Sequence, residues 1–332
     1  MGSIKNTISK QYRKLTPFFV KRKNQYKTGI SIMITVKDES EWIYETLKTA
    51  TYVADEIVIS SFSNKKNDTS RKEINRFLKN YHQTVPIRLF DISFSGSEDL
   101  HKRYEKLDAN NFCLQRNLAL FNCTFSVVYS WDGDHVGNES EMKKIKKLIL
   151  QKELENKKCY WFAYSPVINI YGDSEHTNKL EPKNIEPKIF SNSKYLRYQT
   201  ESLINKASKG IPHIRIPFYY KRFDFDFNGL FHPSNLKPIE NVVRRIYWTP
   251  WRKEIYVNNQ NISLDEYISC KKGEERDITF YRNFFQGRIA PKLEKYNNRF
   301  GEVPEIIKAS KYKIVYKNGQ PYSRNDIEEL DN

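Results

Sequence analysis

Between residues 30 and 155 the chain alternates segments apolar on both faces with segments apolar on one helical face. Few architectures accept that rhythm. The runs "ISIMITV" (30–36), "EIVIS" (56–60), "PIRLFDISF" (86–94) and "FSVVYSW" (125–131) are rich in β-branched and aromatic residues. Such runs suit strands covered on both sides, as in a parallel sheet. Between them, Ile43, Leu47, Ala50 and Ala54, then Ile74, Phe77, Leu78 and Tyr81, recur at helical spacing. Residues 108–122 read as a third helix and 141–155 as a charged surface helix. Asp38-x-x-Glu41 has the form of a capping box, and Ser70-x-x-Glu73 opens the second helix. The alternation predicts an α/β fold, a mostly parallel sheet with helices on both faces.

Sheets of this kind bind ligands beyond the carboxyl ends of their strands. Lys37-Asp38, Ser60-Ser61 and Asp132-Gly133-Asp134 all stand at such ends. The last of these is one of two Asp-x-Asp pairs. In "RFDFDFNG" (222–229), Phe223, Phe225 and Phe227 alternate with Asp224 and Asp226, so both carboxylates belong to the polar face of a half-buried strand. In "VVYSWDGDHVG" (127–137) the aspartates follow a strand with no wet face, and the chain then enters a helix rather than a returning strand. Carboxylates one residue apart at such a tip can hold one Mg²⁺ or Mn²⁺ against a diphosphate. His135 adjoins the pair but, as the next residue on a turn, is expected to point elsewhere.

The net charge of +16 is unevenly placed: residues 1–29 carry eight Lys and Arg and no acid. Three readings fit that basic tail: a solvated segment, a weak anchor to anionic lipid, or a nucleic-acid arm. No apolar run approaches the ~20 residues that span a bilayer, and no secretory leader is visible. Cys113, Cys123, Cys159 and Cys270 form no zinc or C-x-x-C spacing. Reduced thiols and a cytoplasmic location, peripheral on the cytoplasmic face of a membrane if the tail is an anchor, are therefore expected. The organisation expected is a tail (1–29), an α/β domain (30–237, dividing near 140) and a mainly helical region (238–332).

The segment "ISIMITVKDESEWIYETLKTATYVADEIVI" resembles the opening of family-2 glycosyltransferases with the GT-A fold, a Rossmann-like α/β sheet. "NNFCLQRNLAL" is similar to that family's Ala-Arg-Asn helix, with Gln115 in place of alanine, and "VVYSWDGDHV" to its Asp-x-Asp strand. The family's loop after the second strand survives only as Asp68-Thr69 in "SSFSNKKNDTS". "EPKIFSNSKYLRYQTESL" is similar to the segment that ends in a His-Glu pair, with Thr200 at the histidine and Glu201 at the catalytic carboxylate. "GLFHPSNLKP" is similar to the later segment whose histidine closes the metal site, which points to His232.

The resemblance implies an inverting, metal-dependent glycosyltransferase that moves a sugar from a nucleotide donor, expected to be a UDP-sugar, to a glycan or lipid-linked acceptor. Asp132 and Asp134, with His232, would place Mn²⁺ or Mg²⁺. Thr35, Lys37, Glu39, Asp68, Arg116 and Asp132 would line the donor site. Glu201 is the first choice of base and Asp173 the second. By residue type alone Glu201 reads equally as an exposed glutamate and His232 as a packed histidine. Two competing readings make different demands. A sugar-nucleotide nucleotidyltransferase of similar fold predicts a Gly-rich loop after the first strand, which "TVKDESEW" lacks. A basic nucleic-acid-binding protein predicts steeply salt-dependent binding without metal; nucleic acid is not the expected partner.

Overall fold

Each of the four apolar runs forms a strand, largely buried along the first, second and fourth and half-buried along the third, which lies at the sheet edge, and their periodicity decides which side chains meet. A computed structural model describes residues 25–36, 39–61, 70–81, 84–91, 109–171, 174–178, 187–199, 213–225, 229–233, 236–237, 293–299, 301–311, 316–317 and 320–321. The first half runs β1 (Lys27–Val36), α1 (Ile43–Thr51), β2 (Glu56–Ser61), α2 (Ser70–Asn80) and β3 (Ile87–Asp91), then α3 (Ala109–Phe121), β4 (Phe125–Asp132) and α4 (Glu139–Glu155). Short strands follow: β5 (Trp161–Tyr164), β6 (Val167–Asn169), β7 (His176–Asn178), β8 (Pro187–Ser191), β9 (Arg197–Gln199), β10 (His213–Arg215), β11 (Lys221–Phe223) and β12 (Leu230–His232).

Seven strands make the central sheet in the order β11-β5-β8-β4-β1-β2-β3. β1 is parallel to β2 and β4, and β2 to β3. β8 runs antiparallel between β4 and β5, and β11 is parallel to β5. This is the α/β architecture expected, a mostly parallel sheet flanked by helices. Alternation along β1 splits the core: Ile30, Ile32 and Ile34 join Ile57, Ile59, Val127 and Trp131, whereas Met33 joins Val58, Val128 and Phe190. Each such fully buried side chain contributes about 1.5–3 kcal/mol relative to exposure. At the amino ends of the strands, buried Glu56 accepts from Ser31 Oγ (2.6 Å), Thr124 N–H (2.5 Å) and Arg88 (2.7 Å). That network ties four strands together and leaves the carboxyl ends as the open end for chemistry.

The box expected at Asp38 to Glu41 does not cap α1. The helix begins only at Ile43, its N-cap is Trp42, and no side chain caps it. The Glu39 carbonyl instead accepts the Ile43 N–H (3.0 Å), and Ser70 Oγ takes the Glu39 N–H (2.7 Å), so this loop is pinned to the start of α2.

The chain divides into two compact units, Met1–Pro166 with Lys183–Leu230, and Val167–Pro182 with Phe231–Asn332. The described parts of the second unit beyond residue 238 are β13 (Leu293–Lys295), a four-residue helix α5 (Glu305–Lys308), β14 (Tyr316–Lys317) and β15 (Gln320–Pro321). Most of the region expected to be mainly helical, 238–332, lies outside the described residues, as does the basic segment up to residue 24; what is described of it departs from that expectation, with three short strands and one four-residue helix. Cys113, Cys123 and Cys159 form no disulfide among the described residues. No helix among the described residues is long and apolar enough to cross a membrane.

Candidate functional site

The strand order places a switch point between β1 and β4. From β1 the chain proceeds to β2 and β3 on one side, then returns through α3 to lay β4 on the other. Helices diverge at such a point and leave a crevice beyond the strand ends. Thr35 of β1 and Asp132 of β4 are register partners at that end.

The turn after Asp132 is held against β1 and α1. A methyl group added at Gly133 would stand 3.1 Å from Glu39 Cγ and 3.3 Å from the Thr35 carbonyl oxygen, a tight fit in which a neighbour would have to give way slightly. Thr46 Oγ1 of α1 donates to the Gly133 carbonyl at 3.0 Å. A hairpin turn facing solvent would need neither clamp.

Three basic groups converge on Asp132, whose side chain is 32% exposed. Arg116 Nη2 lies 2.9 Å from Oδ1, Lys188 Nζ 3.5 Å from Oδ2, and His135 Nε2 3.5 Å from Oδ2. The two sequence neighbours of Arg116 on α3 show why it points there. Gln115 Nε2 donates to the carbonyls of Val36 (2.8 Å) and Ser60 (2.7 Å), closing the carboxyl ends of β1 and β2. Asn117 brackets the backbone of Tyr198, giving Nδ2 to its carbonyl (3.0 Å) and taking its N–H on Oδ1 (2.7 Å). The Tyr198 ring then lies 5.1 Å from the Arg116 guanidinium, and its hydroxyl donates to Ser130 Oγ at 3.0 Å.

Asp134 is 1% exposed, so its carboxylate is desolvated and carries charge only beside compensating groups. His135, expected to point elsewhere, is equally buried and folds back. Its Nδ1 accepts the Asp132 N–H at 3.1 Å, which puts the ring hydrogen on Nε2, the nitrogen facing Asp132. The local backbone turn decides this, because three residues bring an imidazole back over the strand end. Asp132 and Asp134 each offer carboxylate oxygens, hard ligands of the kind Mn²⁺ or Mg²⁺ takes, and a ligand atom of Asp134 lies within 4.8 Å of one of His135.

The structure thus brings Thr35, Glu39, Arg116, Asp132 and Asp134 to one place. Lys37, Asp68, Asp173 and Glu201 lie outside the described residues. His232 belongs to the second unit, where Nδ1 is 2.6 Å from Asn169 Oδ1. An amide oxygen only accepts, so the proton sits on Nδ1 and Nε2 carries the lone pair that a metal requires.

Sequence reasoning missed Lys188, although a signal was present: a lysine inside the apolar strand "PKIFS" is a rarity that asks for a partner. It also left Ser60 and Ser61 without a role. Both hydroxyls are buried and lack a hydrogen-bond partner among the described residues, at the carboxyl end of β2. Orphaned buried hydroxyls at a strand tip are places where a ligand's polar edge can bind.

In the other acidic pair Asp224 is solvated as expected, but the strand ends at Phe223, one residue before it. Phe223 and Phe225 pack on Trp161, while Asp224 is 76% exposed and meets only its neighbour Arg222 (2.8 Å) among the described residues. Asp226 lies outside the described residues.

No protein-family description matches the chain, and no curated protein does. Among solved structures it is similar to S. aureus TarS 1-349, at 13% identity over 79% of this chain and 73% of that one, with a TM-score of 0.40. Against the longer S. aureus TarS chain it spans 44% of the partner's length, at 10% identity and a TM-score of 0.40. A mannosyltransferase, PcManGT from Pyrobaculum calidifontis in complex with GDP-Man and Mn²⁺, is similar at 12% identity over 51% of this chain and 43% of that one, with a TM-score of 0.28. Likeness this distant is no warrant for a shared activity.

Proposed function

We propose that the chain is an inverting glycosyltransferase that takes a nucleotide-sugar donor, with a UDP-sugar the first choice, and a glycan or lipid-linked acceptor. One observation carries this reading. A clamped Asp-Gly-Asp turn stands at the switch point in register with Thr35, and Arg116 and Lys188 are already directed onto Asp132. Carboxylates and cations packed together at a strand end suit a ligand that is itself a diphosphate with an accompanying metal.

A divalent ion held by Asp132 and Asp134, with His232 as a third ligand, would neutralise charge developing on the leaving diphosphate. The Arg116 guanidinium and Lys188 ammonium turn from Asp132 to the phosphate oxygens, replacing one anionic partner by another. Thr35, Glu39 and the Ser60 and Ser61 hydroxyls, with Lys37 and Asp68, line the nucleoside. Glu201 removes the acceptor hydroxyl's proton as the sugar transfers with inversion, and Asp173 is the alternative base. The eight Lys and Arg of residues 1–29 carry charge suited to an anionic membrane surface at its cytoplasmic face.

The test is a panel of UDP- and GDP-sugars, reading nucleoside diphosphate released with Mn²⁺ and with EDTA. Turnover of one donor, lost on chelation, is the expected result; failure of every donor to bind or turn over with any divalent metal would refute the reading. In the same assay, replacement of the true base, Glu201→Gln or Asp173→Asn, lowers kcat by about 10²–10⁴-fold.

A further inference from the structure

A cleft of about 910 Å³ lies in the first unit between the end of α3 at Phe121, residues 194–197 and residues 215–219. That volume falls within the range of small-ligand and short-chain sites. Its electrostatics are unusual. Arg197 and Arg215 are direct register partners in the antiparallel pair β9–β10. Like charges opposite one another destabilise a strand pair. Neither arginine meets a carboxylate among the described residues, and neither does Lys194 beside them, whose ammonium lies 5.2 Å from the Tyr195 ring. Three large rings share this surface with the cations: Phe121 (65% exposed), Tyr195 (59%) and Phe218 (54%).

Cations that meet no carboxylate among the described residues suit an anionic ligand, and exposed ring faces suit flat, weakly polar surfaces that stack on them. Sugar rings bearing acidic groups offer both. A nucleic acid typically takes on the order of 6–10 phosphate contacts for strong binding, and three cations fall short of that. A bilayer surface presents a plane of headgroups, which suits protruding rings better than rings lining a recess. We propose that the cleft binds an acidic oligosaccharide, a stretch of sugar chain carrying carboxylate or phosphate groups.

The position gives the cleft a purpose, which rests on the glycosyl-transfer reading although the binding itself does not. Successive residues of β9 face opposite ways. Arg197 lines the cleft, while Tyr198 stands under Arg116 and bonds Ser130 beside the Asp132 turn. One strand therefore separates the cleft from the proposed transfer centre, and a chain held in the cleft is a remote part of the acceptor.

Calorimetric titration of the full chain without donor tests this. The probes are oligogalacturonate, phosphorylated mannan fragments, neutral mannan fragments, short single-stranded DNA and phosphatidylserine-rich vesicles. Either acidic sugar should bind about tenfold or more tightly than the neutral one. Arg197→Gln with Arg215→Gln should abolish that difference, and Arg197→Lys with Arg215→Lys should retain most of it. Should the glutamine variant misfold, Phe218→Ala serves in its place and should weaken binding of the acidic sugars. Equal binding of acidic and neutral sugars overturns the proposal. So does wild-type binding by these variants, or arginine-dependent binding of DNA or vesicles in place of sugars. Asp132→Asn keeps the binding and loses turnover, so a failed cleft and a failed transferase reading are told apart.

Discussion

Two Asp-x-Asp pairs lie in one unit of this molecule, and their surroundings could hardly differ more. Asp132 ends a central strand at the point where strand order reverses, with Arg116, Lys188 and His135 about it. Asp224 lies just past the end of edge strand β11, 76% exposed, with Arg222 two residues away. Both pairs satisfy the same three-letter pattern. The difference is made by the neighbours that β4 has and β11 lacks: β1 on one side, β8 on the other, and α3 packed against β1 and β2 at their carboxyl ends. Several elements converge on Asp132, whereas Asp224 faces solvent past the end of an edge strand.

Replacing either residue of the central pair should expose that difference most sharply. Asp132→Asn and Asp134→Asn keep shape and remove charge, and each is expected to lower kcat/KM by about 10³-fold, measured as nucleoside diphosphate released, with an unchanged circular dichroism spectrum. Near-native rates in either variant would erase the distinction between the pairs. Lys188 sharpens the contrast from the other side, since it reaches Asp132 only through strand pairing. Lys188→Ala should cost about 10²-fold in kcat/KM, with part of the loss restored by Lys188→Arg. A loss no larger than that of an ordinary surface lysine would make it a structural partner of Asp132 and nothing more. The smallest effect belongs to the edge pair. Asp224→Ala should change stability by less than about 0.5 kcal/mol in urea unfolding and leave turnover unaltered, because an exposed pair contributes about 0–1 kcal/mol. A large loss there would show that the two pairs had been assigned the wrong way round.

The legible parts of the sequence were those whose cause is local. A run such as "ISIMITV" has no face to give to water, so it becomes a buried strand wherever the chain goes, and Ile74 and Phe77 mark the buried stripe of α2 by spacing alone. The helix start at Asp38-x-x-Glu41 was misread because a capping box competes with tertiary ties. Ser70 from another helix takes the Glu39 N–H, and the first turn shifts to Ile43. His135 was misread for a related reason: the return of its ring onto Asp132 depends on the turn's backbone, which spacing does not report.

By itself the sequence determined the alternation of strand and helix and the turn after β4 that leads into α4 rather than into a returning strand. Apolar periodicity and turn chemistry act within a few residues, and those conclusions need nothing longer. Only the tertiary structure decided that Lys188 and Arg116 share one carboxylate, that Gln115 locks two strand ends, and that Arg197 faces Arg215 across a cleft. Those contacts join residues up to 79 positions apart and follow from the packing of α3 on the strand ends and from strand register, in which a slip of one residue turns every side chain to the opposite face.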